Sequence, residues 1–269
     1  MRGLKRTLLI VLAVLSVATI ATRIYQGSTD RKEPPVISCP QEVLEVSSKD
    51  DESVLLQGVT AYDSQDGDLT EHIIIGGISK LISKDTAKVT LLVFDNDHNM
   101  GSVVRHFRYT DYQRPQFAIT APLVFSSSKE VSPLDRITAT DVLDGDISSR
   151  IRISTLASTE NSEIFDITIQ VTNSLGDTAK LQLPVLVQET DPLRPVISLS
   201  DYLVYLQPGS SFDPAQYLTG LSVSGSELDV SGVTIRSDVD TQTNGTYQAT
   251  YTYSTNGSTG TAILTVVVQ

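Results

Sequence analysis

"AYDSQDGDLTEHIII" spans residues 61–75, and "ATDVLDGDISSRIRI" spans residues 139–153. Both read Ala, one residue, Asp, two residues, Asp-Gly-Asp, an apolar residue, then an alternating apolar run. Asp accepts hydrogen bonds from turn N–H groups and Gly supplies positive φ, so each stretch is turn chemistry set between extended segments. A device that recurs along one chain points to a repeat, and three prolines give its period. Pro35 in "EPPVIS", Pro115 in "QRPQFAIT" and Pro195 in "LRPVISL" stand eighty residues apart each time. Each opens an extended apolar segment, as a first edge strand does where a missing N–H costs little. Short runs of period two follow in every repeat, among them "KVTLLVF", "FDITIQV" and "TYQATYTY". Beyond residue 25 no stretch carries a helical stripe. About seven short strands in about eighty residues predict an antiparallel β-sandwich.

The expected organisation is therefore all-β: three sandwiches over residues 34–112, 113–193 and 194–269. The sixth strands align. Ala87, Val89, Leu91 and Val93 share one face in the first repeat. Phe165, Ile167, Ile169 and Val171 do so in the second, and Tyr247, Ala249, Tyr251 and Tyr253 in the third. All three sets are apolar or aromatic, so this face is expected to be core. Asn244-Gly245 and Asn256-Gly257 read as tight turns with positive φ. Taken together, Pro-Val-Ile, Ala-x-Asp-x-x-Asp-Gly-Asp, Gly-Thr-Tyr and the closing Thr-Val-Val-Val resemble the tandem immunoglobulin-like modules of bacterial surface proteins. Those modules are named after a pesticidal crystal protein and are related to hyalin repeats. The resemblance covers residues 34–269. It implies an extracytoplasmic, adhesive or spacer role and no common ligand. The third repeat departs from the pattern, with "SGSELD" where the acidic loop should be.

Charge and composition narrow the function. The chain of 269 residues has 20 Lys and Arg against 32 Asp and Glu, a net charge of −12. Residues 1–32 hold six bases and one acid, so the body carries all the negative excess. Such a body repels phosphate backbones, which argues against nucleic acid as a partner. Cys39 is the single cysteine, so no disulfide closes within the chain. "MRGLKR" at 1–6 is basic, the run 7–22 is uncharged and mostly apolar, and the segment extends past Arg23 to Tyr25. About nineteen residues of helix match the hydrocarbon core of a bilayer. Residues 7–25 are expected to be a transmembrane signal-anchor, with the N-terminus inside and a short stalk at 26–33. A cleaved signal peptide is the alternative.

The sandwich places the loop after the second strand beside the loop before the last. Asp63, Asp66 and Asp68 should then gather near Asp95 and Asp97, and Asp141, Asp144 and Asp146 should face the linker that holds Asp111. These nine carboxylates are the candidate calcium ligands, because calcium takes many oxygens from several loops. Turn-building is the competing and preferred reading. Tyr202, Tyr205 and Tyr217 are candidate ligand-binding aromatics on the third repeat. No catalytic pair is supported, since no pocket-forming insertion or His partner accompanies the acids. No cofactor beyond calcium is implied. The expectation is a membrane-anchored, single-pass, extracytoplasmic protein of the cell membrane. It would act as an adhesion or spacer rod with a protein-binding third repeat at its tip. A glycan- or wall-binding accessory module of an envelope enzyme or membrane machine is the alternative. The partners are then the membrane and a surface protein or glycan.

Overall fold

The computed structural model describes residues 15–22, 33–40, 42–130, 132–158 and 163–269. Of the expected membrane segment 7–25, residues 15–22 form a helix and the rest lies outside the described residues. In that helix the Thr19 and Thr22 hydroxyls donate back to carbonyls three and four residues earlier. Among the described residues no helix is long and apolar enough to cross a membrane, so the expected transmembrane helix is not supported there.

The chain divides into two compact units. One holds residues 1–46 and 50–110, the other 47–49 and 111–269. The first unit has strands β1 (Val36–Ser38), β2 (Leu44–Val46), β3 (Thr60–Asp63), β4 (Gly67–Asp68), β5 (Ile74–Ile78), β6 (Thr86–Phe94) and β7 (Met100–Tyr109). They form two sheets, β1-β3-β4 and β2-β7-β6-β5. All neighbours are antiparallel except β2, which runs parallel to β7 with Leu44 opposite Phe107. Alternation builds the core: Ala87, Val89, Leu91 and Val93 of β6 are fully buried with Phe107 of β7. Their neighbours Lys88, Thr90 and Leu92 are only half-buried. Arg105 is the exception on the inward face. It is buried, and its Nη1 donates to the carbonyls of Leu55 and Gln57 at 3.0 and 2.7 Å.

The second unit repeats this plan twice. Its first sandwich uses β8 (Gln116–Ile119), β9 (Val124–Ser126), β10 (Ile137–Asp141), β11 (Gly145–Asp146), β12 (Arg152–Ser158), β13 (Ile164–Thr172) and β14 (Thr178–Gln188). Its second uses β15 (Val196–Leu199), β16 (Leu203–Leu206), β17 (Leu218–Val223), β18 (Ser226–Leu228), β19 (Thr234–Ser237), β20 (Gly245–Thr255) and β21 (Ser258–Val268). The sheet orders match those of the first unit strand for strand, including the parallel pairs β9–β14 and β16–β21. The expected core faces hold except at Phe165, which is half-buried and lies outside the core of the second repeat. Ile167, Ile169 and Val171 lie in one hydrophobic cluster, Ala249 and Tyr251 in another. The architecture is a tandem of immunoglobulin-like β-sandwiches.

Tyr247 closes a corner of the third repeat. Its hydroxyl donates to the Thr243 carbonyl four residues back, at 2.9 Å. A Cβ on Gly245 would stand 3.2 Å from the Tyr247 ring, so glycine lets the ring fold over its own strand. Tyr251 is buried with its hydroxyl on the Pro214 carbonyl at 2.7 Å, and burial pushes its pKa up to about 12.

The expected rod is corrected in the second unit, where the two sandwiches lie side by side rather than end to end. The Tyr205 hydroxyl accepts from the Phe117 N–H at 2.9 Å, and Leu203 and Val267 pack onto the hydrophobic core of the second repeat. Near that contact, Arg114 and Pro115 at the start of the second repeat stand beside Val267 and Gln269 at the end of the third. At the opposite end, Phe125 and Gln188 stand beside Pro195 and Ile197, where the third repeat begins. The two sandwiches are thus antiparallel neighbours. Their last strands show the physical reason. Pro184 and Leu186 of β14 and Thr265 of β21 are buried although they point away from their own cores. Strands covered on both faces need apolar residues on both, which "LPVLV" and "ILTVVV" supply. The matching positions of β7, namely Ser102, Val104, His106 and Arg108, are all exposed.

Candidate functional site

The acidic stretches fold as three-residue hairpins between β3 and β4 and between β10 and β11. Asp63 pairs with Gly67 and Asp141 with Gly145. Gly67 and Gly145 sit at φ +78° and +68°, the left-handed region that favours glycine. Each Asp has a separate task. The buried Asp63 crowns its turn, with Oδ1 accepting from the N–H groups of Gln65 and Asp66 at 2.7 and 2.9 Å. Asp141 does the same for Leu143 and Asp144 at 2.9 and 3.0 Å. Asp68 and Asp146 take the N–H groups of Thr70 and Ser148, both at 2.9 Å, and so start the single 3₁₀ turns that follow. Those threonine and serine contacts hold both carboxyls below the usual carboxylate range.

The middle carboxylate reaches across to the loop before the last strand. Asp66 accepts from the Asn96 N–H and side-chain amide at 2.8 and 2.7 Å. Asp144 accepts from the Ser174 N–H and hydroxyl at 2.7 and 2.6 Å, and pairs with Arg150. Burial works against its charge, but the Ser174 hydroxyl, Arg150 and the Ser174 N–H outweigh it and keep the pKa low. Within that loop Asp95 bonds Asn99 by its backbone and side-chain amides, both at 2.7 Å. Of the expected gathering of Asp63, Asp66 and Asp68 with Asp95 and Asp97, the hydrogen bonds show one contact from loop to loop, Asp66 on Asn96. Asp97 is exposed on the same loop.

In the second repeat the loops also capture the preceding linker. The Asn173 amide donates to Asp141 Oδ2 at 3.1 Å and to the Tyr112 hydroxyl at 3.0 Å. That hydroxyl donates in turn to Asp177 at 2.8 Å, and Arg114 forms a two-pronged contact with the same carboxylate. Burial, followed by the Asp177 hydrogen bond, raises the Tyr112 pKa far above its ordinary value. Asp111 is not part of this network. It accepts from the Ser48 N–H and the Ser47 and Ser48 hydroxyls at 2.7, 2.7 and 3.0 Å, which lower its pKa. Sequence reasoning missed Asn173, Tyr112 and Arg114. Their signal was position: a linker Tyr and Arg two residues apart, facing a loop rich in Asn and Asp.

The third repeat replaces both loops by two-residue turns. Ser224-Gly225 and Asn256-Gly257 all have positive φ, which matches the right-handed twist of the flanking strands. Its candidate tyrosines are spent on packing. Tyr202 and Tyr217 lie against the third core, the latter with its ring 5.7 Å from that of Phe212. Tyr205 is largely buried against the second repeat by its bond to Phe117, and burial raises its pKa. The three do not present one open aromatic platform.

Chemically, the loops are acceptor clusters: Asp66, Asp95, Asp141 and Asp144 meet donors through both oxygens, and Asp63, Asp68 and Asp146 through Oδ1. Calcium would need about six to eight oxygens from such a cluster. Among the described residues no group of three or more His, Cys, Asp or Glu side chains is placed to hold a metal ion.

The sequence matches no protein-family model and no curated protein. Solved structures give weak likenesses. A segment of Clostridium perfringens ZmpB comprising CBM51-2, in complex with GlcNAc, and INT domains is 17% identical at a TM-score of 0.24, over 57% of this chain and 41% of that one. The protocadherin γB4 extracellular domain is 12% identical at 0.22, over 88% and 50%. A lipoprotein from Bacteroides thetaiotaomicron is 13% identical at 0.23, over 56% and 98%. The chain spans less than half the length of the ZmpB segment. At these values the likenesses carry no functional argument, and the sandwich assignment rests on strand order and register.

Proposed function

We propose that this chain is a surface binding protein without catalytic activity. It is held at the cell membrane by residues 7–25 and presents its sandwiches outside the cytoplasm for adhesion or scaffolding. The observation that carries the reading is the fused pair of repeats in the second unit. A face buried between two sandwiches and linkers stapled by Tyr112, Arg114 and Asp191 make a stiff platform, as recognition by preformed surfaces requires. The presented element is then this two-sandwich head and not a lone third repeat at the tip of a rod. A glycan partner in place of a protein is favoured by one feature, the open cleft beside the linker at residues 189–195.

Protease treatment of intact cells, or of spheroplasts, bearing the full chain tests the placement. The expected result is loss of the sandwiches with residues 1–25 kept in the membrane fraction, together with adhesion that depends on the chain. Sandwiches protected from protease, or adhesion unchanged when the chain is deleted, overturn the reading.

A further inference from the structure

Where the second repeat hands over to the third, a cleft of about 300 Å³ opens. That is the lower end of ordinary small-molecule sites, which run from about 300 to 1,000 Å³. Its apolar part comes from Val124, Phe125 and Ile197, and its polar part from Thr190, Arg194 and Thr261. The Arg136 guanidinium stands 4.3 Å over the Phe125 ring and fixes it. The two sandwiches hold the walls through their shared face, so the cleft is largely preformed.

Three observations sort the ligand chemistries. Arg194 lines the cleft with its side chain about a fifth exposed, while its Nε is buried and makes no hydrogen bond. Its Nη1 lies 3.6 Å from Glu163 Oε2, which also receives the Gln188 amide at 3.3 Å. A purely apolar ligand would cover the exposed part of that guanidinium without giving it an acceptor. Glu189 and Asp191 line the same cleft and Glu163 adjoins it, so an anionic ligand meets three carboxylates against two guanidiniums, Arg194 and the Arg136 stacked on Phe125. What fits is a neutral molecule with acceptor oxygens along its edge and a C–H face to lay on Phe125.

We infer that this cleft binds a neutral saccharide of one or two rings, with hydroxyl oxygens on Arg194 and a sugar face against Phe125. The inference rests on the reading of the chain as a surface binding protein and names the chemical class it takes. The test uses the full chain in detergent and isothermal titration with glucose, galactose, N-acetylglucosamine, cellobiose, lactose and chitobiose. Glucuronate serves as the anionic control and the tetrapeptide Gly-Ser-Ala-Gly as the competing class. At least one neutral sugar is expected to bind. Arg194→Gln, and the cleft-filling Thr261→Arg and Thr190→Arg, are each expected to weaken it about tenfold or more. Two cleft-filling variants keep the test sound if one fails to fold, and retention of the parent unfolding transition identifies the folded one. The inference is overturned if no neutral sugar binds, if glucuronate or the peptide binds better, or if binding survives a folded cleft-filling variant. Protease-exposed sandwiches without sugar binding sink this inference alone and leave the surface reading standing.

Discussion

At its two acidic-end turns the second repeat spends three and five residues, 142–144 and 173–177, where the third spends two and two, 224–225 and 256–257. The strand orders on either side are the same. The third repeat therefore demonstrates that the sandwich closes without the Asp-Gly-Asp device. The long loops add reach. Only they bring Asn173, itself held by Asp141, and Asp177 within hydrogen-bonding distance of Tyr112 in the incoming linker. The third repeat holds its own linker with turn hydroxyls, Ser224 on the Pro192 carbonyl and Ser258 on Asp191. Both repeats fasten the chain that enters them, one through a largely buried polar network and the other through the exposed Ser224 and the half-buried Ser258.

The largest test of that contrast bears on the shared face. Ile167→Asp puts an unpaired charge into the second core and should cost several kcal/mol. Because β14 and β21 cover each other, hydrogen exchange should show protection lost in the second and third repeats together. Leu91→Asp in the first unit should leave both protected. A third repeat that keeps its full protection in Ile167→Asp would mean the two sandwiches fold independently.

Next in size is the buried network against the exposed Ser224. Asp141→Ala strips acceptors from the Leu143 and Asp144 N–H groups and from the Asn173 amide, and should destabilise by about 1–3 kcal/mol. Ser224→Ala should fall within about 0.5 kcal/mol of the parent. Equal shifts in their urea midpoints would erase the distinction between the two ways of holding a linker.

A smaller effect lies in acid. Asp144 has its folded pKa below the ordinary 3.8, so the stability it contributes is present above that value and is lost as pH falls through the lower, folded value. Asp144→Asn should flatten the acid limb of the stability profile below about pH 4, and change its slope little near neutrality. An unchanged acid limb would show that Ser174 and Arg150 do not hold the charge as the geometry indicates.

The smallest expected effect is none. Millimolar calcium or EDTA should leave Tm where it was, because the protein's own donors already hold the loop carboxylates and, among the described residues, no three acids are placed to hold a metal ion. Binding would instead stabilise by about 2.7 kcal/mol at a hundredfold excess over Kd. A calcium-dependent rise abolished by removing Asp144 and Asp146 together would turn the loops into metal sites and separate repeats one and two from three more sharply.

Much of the fold was legible because strand facing is written in period two. The alternation of Ala87 through Val93 and the turn chemistry of Asp63 and Gly67 depend on neighbours a few residues away. The pairing of the second and third sandwiches depends on what covers the other face of β14 and β21. Its trace, apolar residues at consecutive positions from Leu183 to Val187 and again from Ile263 to Val268 with Thr265 the one break, passes for ordinary strand composition until a partner is known. The tyrosines were misjudged for the same reason. Tyr205 is an aromatic on an alternating strand, and nothing local tells a ligand platform from a residue whose hydroxyl accepts from Phe117 eighty-eight positions away. The linker capture was hidden too, since Tyr112 and Asn173 meet only after the sandwich is built.

The parallel pairing of each repeat's second strand with its last has a mechanical consequence. Tension drawn between the start and the end of one repeat pulls β2 and β7, or β9 and β14, or β16 and β21, in opposite directions along their length. A parallel ladder loaded this way is sheared, so its rungs share the force and must fail together. An antiparallel hairpin pulled from its open end would unzip one rung at a time. Each sandwich is thus closed by a short clasp, running from Leu44 to Val46 in the first and Leu203 to Leu206 in the third, oriented to resist the pull that a tethered molecule feels.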